Sequence, residues 1–250
     1  MKQDESFIAR IRRAKDGASP PYWEEFALTF RHGMNVIILL QDIQKNPQTK
    51  SGKKTTPVAW ECSCLEEVCG ACSMVINGTP RQACSTLVED LETPVVIEPF
   101  SKFPVVRDLV VDRKSLFDNF RKIRAWIHVD LALGLGPGPR MSTEEQQAAY
   151  PLSRCITCGC CIEACPQMNA NSPFMGAAVL NQATLLNSHP TGRMNMGERL
   201  AVARGRGGLA DCGNAQNCAR VCPKDIPLVG SIAKLNREAI IDGLKRWLER

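Results

Sequence analysis

The chain has no long apolar run. Its longest aliphatic stretch is Val36–Leu40, far short of the roughly 20 apolar residues that cross a bilayer, so no transmembrane helix is expected. The opening Met1-Lys2-Gln3-Asp4-Glu5-Ser6 lacks the apolar segment of a secretory signal. A chain that is not exported meets a reducing cytoplasm, where thiols hold metals or do redox chemistry rather than form structural disulfides. Histidine is scarce: His32, His128 and His189 stand at no ligand or triad spacing, which predicts surface or packed roles. Nucleotide motifs are missing too. Near Gly52-Lys53, Pro47 replaces the first glycine of a phosphate loop and Lys54 its magnesium-binding hydroxyl. The glycines of Gly134–Gly138 are interrupted by Pro137, which hinders the opening of a dinucleotide-binding helix. The formal charge of +5 is spread along the chain without a dense basic block or an aromatic platform, so nucleic acid is not an expected partner. No site for making or breaking substrate bonds is evident.

What the chain does have is cysteine. Its 250 residues, 44% hydrophobic and 23% charged, are ordinary for a globular protein, but thirteen cysteines are not. They fall in three bunches: 62, 64, 69, 72 and 84; 155, 158, 160, 161 and 165; 212, 218 and 222. Scattered core cysteines would not bunch in this way.

The first half reads as mixed β. Phe7–Arg13 alternates apolar and polar residues, and Tyr22–Arg31 follows Pro20-Pro21 as a second strand. Met34–Gln44 is a predicted helix closed by Asn46-Pro47. Ser73–Ile76 before Asn77-Gly78 signals a hairpin, and Val95–Ile97 a further strand. From about Asp112 the period turns helical. Leu116, Phe117, Phe120 and Ile123 are predicted to share one face, and Leu133–Pro139 forms a loop. Leu228, Ile232, Leu235, Ala239, Ile240 and Leu244 make a terminal helical stripe for core packing or a partner. The expected domains are 1–112, rich in β, and 113–250, helical.

Cys64-x4-Cys69-x2-Cys72, with Cys84 later, has the spacing of a plant-type [2Fe–2S] site. Two bridged irons want four soft thiolates on a loop tight enough for backbone N–H groups to reach the sulfurs, and Gly70 eases that approach. A structural zinc site is the competing reading. Cys155-x2-Cys158-x2-Cys161-x3-Cys165-Pro166 is the bacterial ferredoxin run, whose fourth cysteine ligates the other cluster in two-cluster proteins. Cys212-x5-Cys218-x3-Cys222-Pro223 fits the same template with Ala215 at the middle position. The crossover assigns Cys155, Cys158, Cys161 and Cys222 to a [4Fe–4S] cluster. Cys165, Cys212 and Cys218 remain as three thiolates, suited to a [3Fe–4S] cluster; a four-iron cluster with water at the open corner is the second reading. Cys62 and Cys160 lie off the spacing, as small residues packed near a cluster or as alternative ligands. Bound clusters carry roughly two negative charges each with their thiolates, which would bring the loaded chain near neutrality.

The stretches WECSCLEEVCGAC (60–72), CITCGCCIEACP (155–166) and DCGNAQNCARVCPK (211–224) resemble the iron–sulfur subunits of succinate dehydrogenase and fumarate reductase, over nearly the whole chain. The wording is most similar to the Gram-positive, menaquinone-using type. The resemblance implies an α+β fold, an N-terminal β-grasp plant-type ferredoxin domain followed by an all-α bacterial-ferredoxin-like domain. It implies a flavoprotein partner carrying FAD, a membrane cytochrome b anchor with two haems, and attachment to the cytoplasmic side of the cell membrane. Electrons would pass from flavin through [2Fe–2S], [4Fe–4S] and [3Fe–4S] to quinone, or the reverse in a fumarate reductase. An iron–sulfur subunit of another flavin oxidoreductase and a zinc-stabilised binding module are the rival readings. One departure matters. Ubiquinone-reducing relatives place tryptophans and a serine after the equivalent of Pro166 and a histidine after that of Cys212; here stand Gln167, Met168, Asn169, Ala170 and Gly213. No quinone-contacting residue is carried over.

Overall fold

The structure, a computed structural model, describes residues 3–127 and 140–249. His128, the Leu133–Pro139 loop and the Gly134–Gly138 motif lie outside the described residues. The chain forms two compact units, Met1–Arg113 with Ile156–Glu163, and Lys114–Cys155 with Ala164–Arg250. The sequence reading placed all of 113–250 in the second domain; the short segment around Cys158 and Cys161 instead packs within the first unit.

In the first unit β1 (Ser6–Arg13) and β2 (Tyr22–Thr29) form an antiparallel pair, followed by α1 (Val36–Lys45), the hairpin β3 (Ser73–Ile76) and β4 (Thr79–Gln82), and β5 (Val95–Glu98). The sheet order is β2-β1-β5-β3-β4, with β1 parallel to β5 and β5 antiparallel to β3. Alternate residues of β1, Phe7, Ala9 and Ile11, face the core, because side chains alternate faces along a strand. Asn35 caps α1, its Oδ1 accepting from Ile38 N at 3.0 Å, and Val36, Ile37, Leu39, Leu40 and Ile43 enter the same core. Asn77 and Gly78 both take the positive φ that a tight hairpin turn requires.

Arg13, 1% exposed, continues the inward row of β1. The two-stranded ribbon β6 (Val105–Arg107) and β7 (Val110–Val111) supplies its counter-charge, Asp108. Arg13 Nε donates to Asp108 Oδ1 at 2.9 Å and Nη2 to Oδ2 at 3.0 Å, and Nη1 donates to Glu24 Oε2 at 2.7 Å. Asp108 also accepts from Ala59 N at 2.8 Å, tying this network to the segment that leads into the first cysteine loop.

The second unit comprises α2 (Lys114–Lys122) and α3 (Thr143–Ser153), then α5 (Ala177–Ser188), α6 (Met196–Arg204), α7 (Asn217–Arg220) and α8 (Leu228–Leu248); α4 (Cys160–Glu163) belongs to the first unit. Helix α5 is its centre and is buried nearly all round. Polar residues on it bond its neighbours: Asn181 Nδ2 donates to Leu152 O at 3.0 Å and Thr184 Oγ1 to Ser231 O at 3.0 Å. Two sequence expectations change here. Leu116 and Ile123 are buried, whereas Phe117 is 55% exposed, so the face of α2 is narrower than its apolar pattern. On α8, Leu228, Leu235 and Ala239 are buried, but Ile240 and Leu244 are exposed. At 3.6 residues per turn these two lie with Trp247 and Leu248 on the far side of the helix, so the stripe is two faces rather than one.

Candidate metal centres

The β3–β4 hairpin places the first cysteine group. Cys72 immediately precedes β3 and Cys84 closely follows β4; the Ser73↔Gln82 pairing and the Ala83 N to Cys72 O bond of 3.1 Å hold them side by side, both buried. Asn35, the cap of α1, also donates through Nδ2 to Cys84 O at 2.9 Å. The outer loop carries Cys64 and Cys69, and Leu65, Glu67 and Gly70 all take positive φ. This winding turns amides inward. Cys64 Sγ accepts from Glu66, Val68 and Cys69 N at 3.4, 3.2 and 3.3 Å, and Cys69 Sγ from Cys64 and Ala71 N at 3.5 Å each. The amides of Glu66 and Val68 lower the Cys64 thiol to about 7, whereas burial raises that of Cys72 to about 12. Iron binds the thiolate, and a sulfur cradled by three N–H donors is prepared to be one. The residues fit an anionic iron–sulfur group.

The second run enters the first unit as Ile156–Glu163. Cys158, Cys160 and Cys161 are buried. Gly159, at φ +91°, lies against Phe100 and Phe103, and Glu163 accepts from Ser101 N at 2.9 Å, Ser101 Oγ at 2.7 Å and Lys102 N at 3.0 Å. Gly70 touches this segment so closely that a Cβ there would stand 2.8 Å from Ile156 O and 2.9 Å from Cys158 Cα. A hydrogen bond from Cys160 lowers the Cys158 thiol to about 7, with the Arg113 charge adding to it. The same bond and burial push Cys160 upward. Cys62 is exposed. Cys155 and Cys222 belong to the second unit.

The third group meets inside the second unit. Cys165, Cys212 and Cys218 line one pocket with Ala215, Gln167, Gly213 and Ile232. Burial raises the Cys218 thiol, and the charges of Cys165 and Cys212 raise it further, so the three sulfurs lie within electrostatic reach of one another. Asn214 and Gln216 take positive φ in the loop between Cys212 and Cys218. Asn217 Nδ2 donates to Ala164 O at 2.9 Å, fastening that loop beside Cys165. A Cβ at Gly213 would meet Gln167 Nε2 at 2.6 Å; glycine there makes room for the glutamine. Among the described residues no three His, Cys, Asp or Glu side chains converge as a single metal ion requires. His32 pairs with Glu89 at the surface and His189 Nδ1 accepts from Gly192 N at 3.3 Å, roles apart from the thiols. Sequence reasoning missed Gln82, Asn35 and Arg113, which act on the cysteines from distant positions; a fully buried glutamine at a strand end has no periodic signature.

Comparison with known proteins finds a 2Fe-2S iron–sulfur cluster binding domain at residues 7–118 and a 4Fe-4S dicluster domain at 151–226. The succinate dehydrogenase iron–sulfur subunit of Bacillus subtilis is 51% identical over 99% of this chain and 98% of its own length. The fumarate reductase iron–sulfur subunit of Wolinella succinogenes is 29% identical over 90% and 93%. A chain of the Mycobacterium smegmatis Sdh1 complex in the apo form shares the fold, with a TM-score of 0.81, 24% identity and coverage of 94% and 96%.

Proposed function

The chain belongs to the iron–sulfur subunit family of succinate dehydrogenase and fumarate reductase, and from that premise we propose that it is the electron relay of a succinate:quinone oxidoreductase. Cys64, Cys69, Cys72 and Cys84 hold [2Fe–2S]; Cys155, Cys158, Cys161 and Cys222 hold [4Fe–4S]; Cys165, Cys212 and Cys218 hold [3Fe–4S]. When bound, these clusters supply one-electron carriers that split the two electrons of a reduced flavin. The residues do the rest. Amides of Glu66, Val68 and Cys69 aim at Cys64, and burial shields Cys72 and Cys84 from water; hydrogen bonds and burial set cluster potentials.

The observation that carries this reading is the pocket where three thiols meet Ala215. A methyl group cannot bind iron, which supports a three-iron cluster at the end of the relay. The partners are a flavoprotein with FAD and a membrane anchor, a di-haem cytochrome b passing electrons to menaquinone. Among the described residues no helix is long and apolar enough to cross a membrane, which suits a subunit held peripherally, on the cytoplasmic side. Succinate oxidation is the favoured direction, on the strength of the B. subtilis relative. Iron and sulfide counts with EPR on the purified complex test the reading. About nine irons per chain and a three-iron signal when oxidised are expected; zinc in place of iron and sulfide would overturn it.

A further inference from the structure

The loop that carries Cys64 and Cys69 is held from outside by an arginine far along the chain. Arg113 Nη1 donates to Gly70 O at 3.3 Å and Nη2 to Ala71 O at 3.2 Å, so one guanidinium spans two successive carbonyls between Cys69 and Cys72. No acidic side chain is among its hydrogen-bond partners, and its Nε is buried without an acceptor among the described residues. Gly70 O takes a second donor, Ser73 Oγ, at 2.7 Å. In a planar trans peptide the N–H points away from the C=O. The Gly70–Ala71 peptide therefore turns its other end inward, where Ala71 N donates to Cys69 Sγ at 3.5 Å. A line of dipoles runs from the Arg113 cation through this peptide to a sulfur proposed as an iron ligand, all within the first unit.

We propose that Arg113 is a positioning residue of the [2Fe–2S] site, which raises the reduction potential of that centre by fixing and polarising the Gly70–Ala71 peptide against Cys69 Sγ. The inference rests on the assignment of Cys64, Cys69, Cys72 and Cys84 above. A charged donor makes a stronger hydrogen bond to a carbonyl than a neutral one. It also sharpens the N–H of the same peptide as a donor, since linked hydrogen bonds polarise one another. A stronger donor on a ligand sulfur favours the more negative, reduced cluster, so the potential rises. The positive charge acts in the same direction. Arginine suits the place because its planar fork meets two carbonyls at once and stays charged, whereas lysine would keep the charge and lose the fork.

The test is EPR-monitored redox titration of the intact complex with Arg113→Met, Arg113→Gln and Arg113→Lys. Arg113→Met removes charge and donors together and is expected to lower the [2Fe–2S] midpoint, shifting its one-electron equilibrium about tenfold, or about 59 mV. Arg113→Lys keeps the charge and should recover a larger part of that shift than the neutral Arg113→Gln. The three-iron midpoint should stay put in all three. A merely structural role would lower cluster content or the thermal transition and leave the midpoint of the loaded centres where it was. Full [2Fe–2S] content in Arg113→Met with a midpoint within about twofold of the parent therefore overturns the proposal. If Arg113→Met does not retain the cluster, the other two variants decide: a lower midpoint in Arg113→Gln than in Arg113→Lys supports it, and equal midpoints overturn it. A missing [2Fe–2S] signal in the unsubstituted complex would strike the ligand assignment instead, before any substitution is made.

Discussion

At the scale of the residue, an absence is as informative as a ligand. Ala215 lines the pocket of Cys165, Cys212 and Cys218 where the ferredoxin template has a fourth sulfur. Ala215→Cys is expected to raise the iron count from about nine to about ten and to replace the three-iron EPR signal of the oxidised complex; an unchanged signal counts against the register assigned to Ala215. Arg13 makes the opposite case, a charge where β1 wants an apolar side chain. Arg13→Met takes the nearest counter-charge from the buried Asp108 and leaves it only the more exposed Arg107 at 3.9 Å, which should cost about 3 kcal/mol, read as a lowered thermal transition. The outcome for Arg13→Met with Asp108→Leu should be milder, since breaking a buried pair costs more than replacing both partners. Ala215 was legible because it interrupts a known spacing. Arg13 was not, because its partner is 95 positions away and nothing local announces it.

At the scale of the element, loops do most of the chemistry and helices hold them. The Cys64–Cys72 loop needs left-handed backbone at Leu65, Glu67 and Gly70 to aim its amides. Gly70→Ala adds a Cβ within 3 Å of Ile156 O and Cys158, where backbone must move. It is expected to lower [4Fe–4S] occupancy in EPR spin quantitation while the three-iron signal persists. In the second unit α6 and α8 are joined by Arg204 Nη1 to Asp242 Oδ2 at 2.6 Å, with Arg246 Nε at 2.9 Å from the same oxygen. Burial pushes Asp242 up, but the hydrogen bonds from both arginines outweigh it, and its carboxyl is held below the ordinary range. A lowered carboxyl pKa stabilises the fold above the unfolded value, and that stability is lost as pH falls through the folded value. Thermal melting should therefore show an acid-side decline that Arg204→Gln reduces; an identical pH profile in that variant would count against this role. Strands β1, β2, β3 and β5 and helices α1, α2 and α8 were legible from pattern and turn signals, whereas α3, α4, α5, α6 and α7 gave no signal that was read. The two faces of α8 were not legible either, because periodicity shows which side chains are apolar and not which of them find a partner.

At the scale of the molecule, the two units divide the cysteines. The cysteines proposed for [2Fe–2S] sit wholly in the first unit, and the three proposed for the three-iron cluster wholly in the second. Cys218→Ala is expected to abolish the three-iron EPR signal and leave that of [2Fe–2S] in place; joint loss would show that the units do not load independently. What the sequence by itself determined is chemical. Eleven of its thirteen cysteines stand at ferredoxin spacings and point to iron–sulfur clusters, because a loop of given length can bring only certain sulfurs around one cage. What only the tertiary structure decided is environment. Amides face Cys64, Gln82 stands between Cys72 and Cys160, and Ile156–Glu163 folds with the first unit. The first follows from the left-handed turns of one short loop, while the placing of Gln82 beside Cys160 and of Ile156–Glu163 in the first unit depends on contacts between residues far apart in the chain, which only packing brings together.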